Sequence, residues 1–206
     1  MGVFSPVEVG KLFMLSIVLH PHPALRFKAR PLTRVTDLLH LQVAQMFGSM
    51  YEAEGVGLAA PQVALPYQLF ILNTSADPDQ KDLEKVVINP EILEKQGSVE
   101  GSEGCLSLPE LFQKVRRAKT VTVRYQTLTG ESVEETLSGL AGKAFQHEYD
   151  HLHGILFIDK LGTIGKISAR GAIAAFEREY AIAQKKGDLP SNSELIARLE
   201  ELAAQA

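Results

Sequence analysis

The stretch Gln146-His147-Glu148-Tyr149-Asp150-His151 constrains this chain more than any other. Two imidazoles four residues apart face the same way only on a helix, so the segment predicts a helix from about Leu140 to His153, closed by Gly154 in the left-handed cap position. On that helix the two rings can grip one metal ion. Glu148, about 100° around the axis from His147, can reach a water on the ion while staying off the metal. Such an arrangement makes hydroxide at neutral pH.

A four-coordinate catalytic site takes three protein ligands plus water, so a third ligand is required. Downstream, His153 is the only other histidine, and two residues from His151 puts it about 200° around the helix, on the far side. Cys105 is the better candidate. It stands in Glu103-Gly104-Cys105-Leu106-Ser107, where the glycine lets the backbone come close and present a thiolate. A lone cysteine is otherwise a small buried hydrophobe, and its pairing with the two histidines favours the ligand role.

The stretch Gly55-Val56-Gly57-Leu58-Ala59-Ala60-Pro61-Gln62 formally matches the G-x-G-x-x-A dinucleotide pattern. It fails in context, because a Rossmann turn follows a strand and opens a helix, whereas this stretch ends a helix and Pro61 precedes a strand. A simple tight connection is one alternative. The other is functional: two glycines let a substrate backbone lie against the chain, and the Gln62 amide can donate to a carbonyl oxygen that becomes negative in the transition state.

Composition sets the outer limits. The 206 residues, 45% apolar and 22% charged, suit one ordinary domain with a real core. A net charge of −4 leaves no global basic footprint for wrapping nucleic acid or an anionic membrane surface, though local patches stay open. With one cysteine no intrachain disulfide forms, which fits a reducing compartment. No apolar run approaches the roughly 18 to 20 residues of a spanning helix. Leu12 to Leu19 reads instead as an extension running into a first strand. Gly2 lacks the Ser or Thr at position 6 that myristoylation needs, and Met14 is an alternative start.

Along the chain, Thr36-Asp37 opens a helix with apolar Leu39, Val43, Met46, Met50 and Ala53, and Gly55 supplies its stop. Strands follow at Tyr67 to Asn73, Lys85 to Asn89 and Lys119 to Gln126, and Thr129-Gly130 turns into another at Ser132 to Leu137. Ile167 to Lys186 reads as a helix broken by Gly187-Asp188-Leu189-Pro190, and Ser191 with Glu194 offers a capping box for a last short one. The expected class is α+β: antiparallel or mixed sheets around a central metal-binding helix, with a C-terminal helical extension. The expected division is an N-terminal extension over 1–13, a catalytic domain over 14–165 and a helical tail over 166–206.

Taken together, Gly55 to Gln62, Glu103 to Ser107 and Gln146 to His151 resemble the three signature motifs of peptide deformylase, in the same order and without substitution. The resemblance covers about Met14 to Leu161 and implies removal of the formyl group from the N-terminal formylmethionine of new polypeptides. It implies that Cys105, His147 and His151 bind the metal, that Glu148 is general base and then acid, and that Gln62 with the Leu106 backbone N–H holds the formyl oxygen. It points to Val56, Gly57, Leu140 and Ala144 for the substrate, although apolar residues beside a helix are more often core. Ferrous iron is the metal the family suggests, whereas thiolate plus imidazole suits zinc, cobalt or nickel equally.

The chain also departs from the pattern. Many family members place an arginine a few residues beyond the cysteine motif to meet the peptide; here Glu110-Leu111-Phe112 occupies that ground and Arg116-Arg117 follow. The tail carries Lys166, Arg170, Arg178, Lys185 and Lys186 among Glu177 and Glu179, so the resemblance suggests docking on the ribosome, against the alternative of a solvated helix face. The expected setting is the bacterial cytoplasm, with an organelle open, no membrane and no sequence-specific nucleic acid. Competing readings are a metallopeptidase of internal amides, a metal-free cysteine nucleophile activated by His147, and a non-catalytic binding module.

Overall fold

The computed structural model describes residues 15–206. It is an α+β fold in which two antiparallel sheets meet one buried helix. Seven strands are described: β1 (Gly57–Ala59), β2 (Leu69–Leu72), β3 (Lys85–Gln96), β4 (Val99–Cys105), β5 (Leu108–Arg117), β6 (Thr120–Gln126) and β7 (Ser132–Ser138). Four helices accompany them: α1 (Asp37–Glu52), α2 (Gly139–Leu152), α3 (Thr163–Lys186) and α4 (Asn192–Ala203). The larger sheet runs β1-β2-β3-β6-β7, and the smaller pairs β4 with β5.

Helix α1 begins at Thr36, whose hydroxyl accepts from the Leu39 N–H and so satisfies one of the free donors of the first turn. Its apolar stripe packs Leu39, Val43, Met46 and Met50 against Leu58, Leu69 and Ile71. The helix stops earlier than the glycine predicts. Ala53 is the cap and Glu54 takes the left-handed conformation at φ 54°, while Gly55 closes the turn onto the Met50 carbonyl. A second apolar layer, with Phe70, Val121, Val123 and Tyr125 from the sheet and Phe145 and Leu152 from α2, seats the motif helix; Phe145 meets Phe70 edge-on at 5.0 Å. A third lies under β5, where Leu108, Leu111 and Val115 meet Phe157, Leu161 and Ala169.

Gly154 ends α2 as predicted, at φ 69°, and a Cβ there would sit 2.6 Å from the Arg26 carbonyl oxygen. Both the cap conformation and the close approach demand glycine. The hairpin at Gly130, the helix to Lys186 and the Ser191–Glu194 capping box also form.

Three differences from the sequence reading matter. Residues 15–19 form no strand, and the other residues of that predicted extension, 12–14, lie outside those described. Instead the Val18 N–H donates to the Gln62 carbonyl at 2.8 Å and the His20 N–H to the Ser107 carbonyl at 2.9 Å, so this segment straps two of the three motifs together. Gly57–Ala59, for which a simple tight connection is one of two alternatives in the sequence, is a short strand paired with Phe70–Leu72. The hairpin β4–β5 carries no apolar alternation strong enough to be read in advance, since β4 has no fully buried residue.

The His20–His22 segment sets an acid limit on stability. His22 is buried, its Nδ1 accepts from the Ala24 N–H at 3.1 Å, and burial draws its pKa below the ordinary 6.5. Burial and then the Arg26 charge draw His20 down as well. Folded pKa values below the unfolded one mean that stability is complete above about pH 6.5 and falls as pH drops below it, because the unfolded chain takes up protons first. The thermal midpoint is therefore expected to fall between pH 7.5 and 5.5, and less steeply in His22→Asn, which keeps an acceptor without the titration. Equal slopes in the two proteins would contradict this account.

Candidate metal centre

Cys105 ends β4, and His147 and His151 lie one turn apart on α2; Cys105 Sγ and one ring nitrogen of each histidine fall within 4.8 Å of one another. Cys105 Sγ is 3.4 Å from His151 Nε2. Two ligands of a tetrahedral ion with thiolate and imidazole bonds stand roughly 3.6 Å apart, so the donor set and its spacing both fit a divalent cation. All three side chains come from elements that pack rigidly, α2 through Phe145 and Leu152 and β4 through its pairing with β5.

The ring orientation of His147 is held by a carboxylate. Glu103 lies two positions before Cys105 on the same strand, and its Oε2 accepts from His147 Nδ1 at 3.1 Å, which leaves Nε2 for the ligand position. Glu103 is itself clamped by Arg117, whose Nε and Nη2 each donate at 2.8 Å to the two carboxylate oxygens, while Nη1 donates to Asp150. Burial opposes the Glu103 charge, but the Arg117 and His147 contacts win and bring its pKa down to about 2. Gln146 adds a second tie: its amide accepts from the Ala118 N–H and donates to the Ala118 carbonyl, both at 3.0 Å.

The two histidines differ electrostatically. Burial and the neighbouring charge of His147 push His151 well below its ordinary value, so it is neutral and its lone pair is available. Burial also opposes charge on His147, but Cys105 and Glu103 beside it raise its pKa to about 10. A cation taken up by this set must displace that proton.

Glu148 is 4% exposed, and burial pushes its carboxyl up to about 7, partly offset by the His147 and Arg117 charges. Its Oε2 has no hydrogen-bond partner among the described residues. Gly57 explains how it fits: a Cβ there would come within 2.6 Å of Glu148 Oε1 and 2.9 Å of Leu72 Cδ2. A carboxyl group with a pKa near neutrality beside a cation-binding set can both take and return a proton at physiological pH.

Gln62, 1% exposed, closes the other side. Its Oε1 accepts from the Ala59 N–H at 2.8 Å, which turns Nε2 toward Cys105 Sγ at 3.4 Å and Ser107 Oγ at 3.3 Å. A cavity of about 610 Å³ opens over the group. Gln62, Val56, Gly57, Leu106, Leu140 and Ala144 all line it, together with Cys105, His147 and Glu148, so the structure brings the sequence-predicted site residues together; His151 lies beneath. His153 turns away, its ring against Tyr149.

The structure also adds residues that sequence reasoning left without a role. Glu103 and Asp150 were legible only as parts of motifs and Arg117 only as a basic residue after the second, because the pairing of Arg117 with Asp150 spans 33 residues. Ser107 is fully buried beside the Gln62 amide. Where an arginine was looked for, Leu111 enters the core, and Phe112, 67% exposed, lays its ring on the Gly104 backbone at the cavity rim.

Comparison with known proteins agrees with this geometry. The profile of the family described as polypeptide deformylase matches residues 14–166. A peptide deformylase of Rhodopirellula baltica is 38% identical over 187 residues, covering 91% of this chain and 92% of the relative, and one from Acidobacterium capsulatum is 46% identical over 72% and 86%. Among solved structures, Plasmodium falciparum peptide deformylase superposes with a TM-score of 0.79 at 36% identity, over 81% of this chain and 98% of that one. Peptide deformylase 1B of Arabidopsis thaliana, in complex with an inhibitor, gives 0.78 at 38% identity over 85% and 96%.

Proposed function

The chain belongs to the polypeptide deformylase family, and on that premise we propose that it hydrolyses the N-terminal formyl group of formylmethionyl nascent polypeptides and releases formate. The observation that carries this reading is the convergence of a thiol and two imidazoles beside a buried carboxyl group whose pKa stands near 7. Cys105, His147 and His151 would hold one divalent cation. Such an ion supplies Lewis acidity, acidifying a coordinated water and polarising a carbonyl oxygen. A thiolate ligand weakens that acidity relative to three neutral imidazoles, which makes a nearby base more important.

Glu148 is that base. It takes the proton from the attacking water and returns it to the amine nitrogen as the C–N bond breaks, so one carboxyl serves both steps. Gln62 Nε2 and the Leu106 backbone N–H donate to the formyl oxygen as it gains charge. Val56, Gly57, Leu140 and Ala144 receive the methionine and its backbone. Iron(II) is the metal the resemblance favours; zinc, nickel and cobalt suit the same ligands.

The activity is assigned to residues 14–165, with 1–13 and 166–206 as appendages, and the exposed basic side chains Lys166, Arg170, Arg178, Lys185 and Lys186 of the tail are the surface we assign to ribosome contact in the cytoplasm. Among the described residues no helix is long and apolar enough to cross a membrane.

The test is formate release from formyl-Met-Ala-Ser by anaerobically purified protein, with metal measured on the same sample. Formate release that disappears on chelation supports the reading. Digestion of unformylated peptides with indifference to the formylated one overturns it in favour of a metallopeptidase, and activity that survives exhaustive chelation but dies on thiol alkylation overturns it in favour of a cysteine nucleophile.

A further inference from the structure

Lys143 is the only lysine or arginine lining the cavity among the described residues. It is half-buried, and no carboxylate there lies within the 4.0 Å of an ion pair with it. A lysine in such a place is ordinarily paired, because burial without a partner disfavours its charge. Its neighbours in the cavity do not satisfy it: Glu103 is taken up by Arg117 and His147, and the remaining carboxylates, Glu54, Glu110 and Glu148, form no ion pair with it.

Its placement follows from the helix. Lys143, His147 and His151 stand at four-residue steps on α2, so the lysine lies on the same face as the two candidate ligands, about 6 Å along the axis from His147. Gly101 on β4 makes room for it: a Cβ at that position would be 3.1 Å from Lys143 Nζ, so the ammonium rests over bare backbone. Leu140 and Ala144, adjacent to it on the helix, line the same cavity.

We propose that Lys143 selects the charge of the third residue of the formylated peptide, taking an aspartate or glutamate side chain there. This rests on the reading that the methionine side chain enters beside Leu140 and Ala144. In an extended peptide alternate side chains share a side, so the third residue faces the same wall as the first, about 6.8 Å further on, and the second faces away. Lys143 springs from the helix between Leu140 and Ala144, and its long side chain carries the ammonium away from them to Gly101 on β4, the reach that the third residue requires. Glu54 and Glu110 at the rim are exposed and screened by solvent, and Glu103 is neutralised by Arg117, so Lys143 is the one lysine or arginine of the described lining that a side chain of the peptide can meet.

The experiment compares kcat/KM for C-terminally amidated formyl-Met-Ala-Glu and formyl-Met-Ala-Lys. The metal-loaded wild-type protein is expected to favour the glutamate peptide by about two- to fivefold, mostly through KM, with the ratio shrinking in roughly 0.5 M salt. Lys143→Met, which keeps the apolar stem, brings the ratio to parity, and Lys143→Glu inverts it. A folding or metal-loading defect lowers both peptides alike and leaves the ratio where it was. Swapping the charged residue to position two, in formyl-Met-Glu-Ala-amide against formyl-Met-Lys-Ala-amide, gives a ratio that does not respond to Lys143. A third-position ratio unchanged in Lys143→Glu overturns the proposal, as does an equal response at position two. Failure to release formate from any formylated peptide would instead strike at the deformylase reading itself.

Discussion

Glu148→Ala is expected to keep its metal and to lose on the order of 10² to 10⁴ in the rate of formate release. Metal retention follows from the ligand geometry, in which the three converging atoms belong to Cys105, His147 and His151 and none to Glu148. The loss follows from the carboxyl's position: it is enclosed, its Oε2 is free of hydrogen bonds among the described residues, and burial poises it near neutral pH. The remaining carboxyls of the lining differ from it: Glu54 and Glu110 are exposed at the rim, and Glu103 carries a fixed charge. Glu103 is held as an anion at about 2 by Arg117 and is poorly suited to carry a proton at pH 7. The measurement is single-turnover formate release alongside metal content, with Glu148→Gln as the shape-preserving partner. A Glu148→Ala protein that is metal-loaded and still fully active would remove the proposed base.

Arg117→Leu is expected to destabilise the fold by about 3–5 kcal/mol, because it leaves the Glu103 and Asp150 carboxylates without their shared cation in a buried setting. Lys160, 3.2 Å from Asp150, relieves one of them in part. Glu103 has only His147 left, so the loss spreads to the metal centre, and the ring that offers Nε2 becomes less well oriented. Arg117→Lys keeps a charge but loses the two-pronged grip on Glu103, and it should fall between the leucine variant and the wild type. Urea unfolding of the three proteins decides it. Stability of Arg117→Leu within about 1 kcal/mol of wild type would mean that the network contributes little.

The two variants also mark how far the site could be read from residues alone. Glu148 and the two histidines were legible because a helix encodes its own geometry in spacings of one and four, and no distant part of the chain is needed to say which way these side chains point. The Arg117–Glu103–His147 chain was not. Its members sit 14 and 44 residues apart and meet only because β5 returns beside β4 and the two strands bring Arg117 and Glu103 to the side chains of α2. The same limit applies at the end of α1, where Gly55 is a sound candidate for a stop, yet the left-handed turn falls on Glu54, and at Gly55 a Cβ would come within 2.7 Å of the Leu106 side chain, a neighbour 51 residues away.

What the sequence determined by itself was the α+β class, the site helix with its ligands on one face, the cap at Gly154, and the three segments whose joint occurrence marks the family; all of these rest on neighbours a few residues apart. Only the tertiary structure decided that Gln62 turns its amide toward Cys105, that Glu148 is enclosed enough to hold a proton near pH 7, and that Lys143 stands over Gly101 with no carboxylate partner among the described residues. The reason is physical: orientation along a helix is a local property of the backbone. Burial, pKa and the partner of a charge are set by whatever the rest of the chain brings alongside.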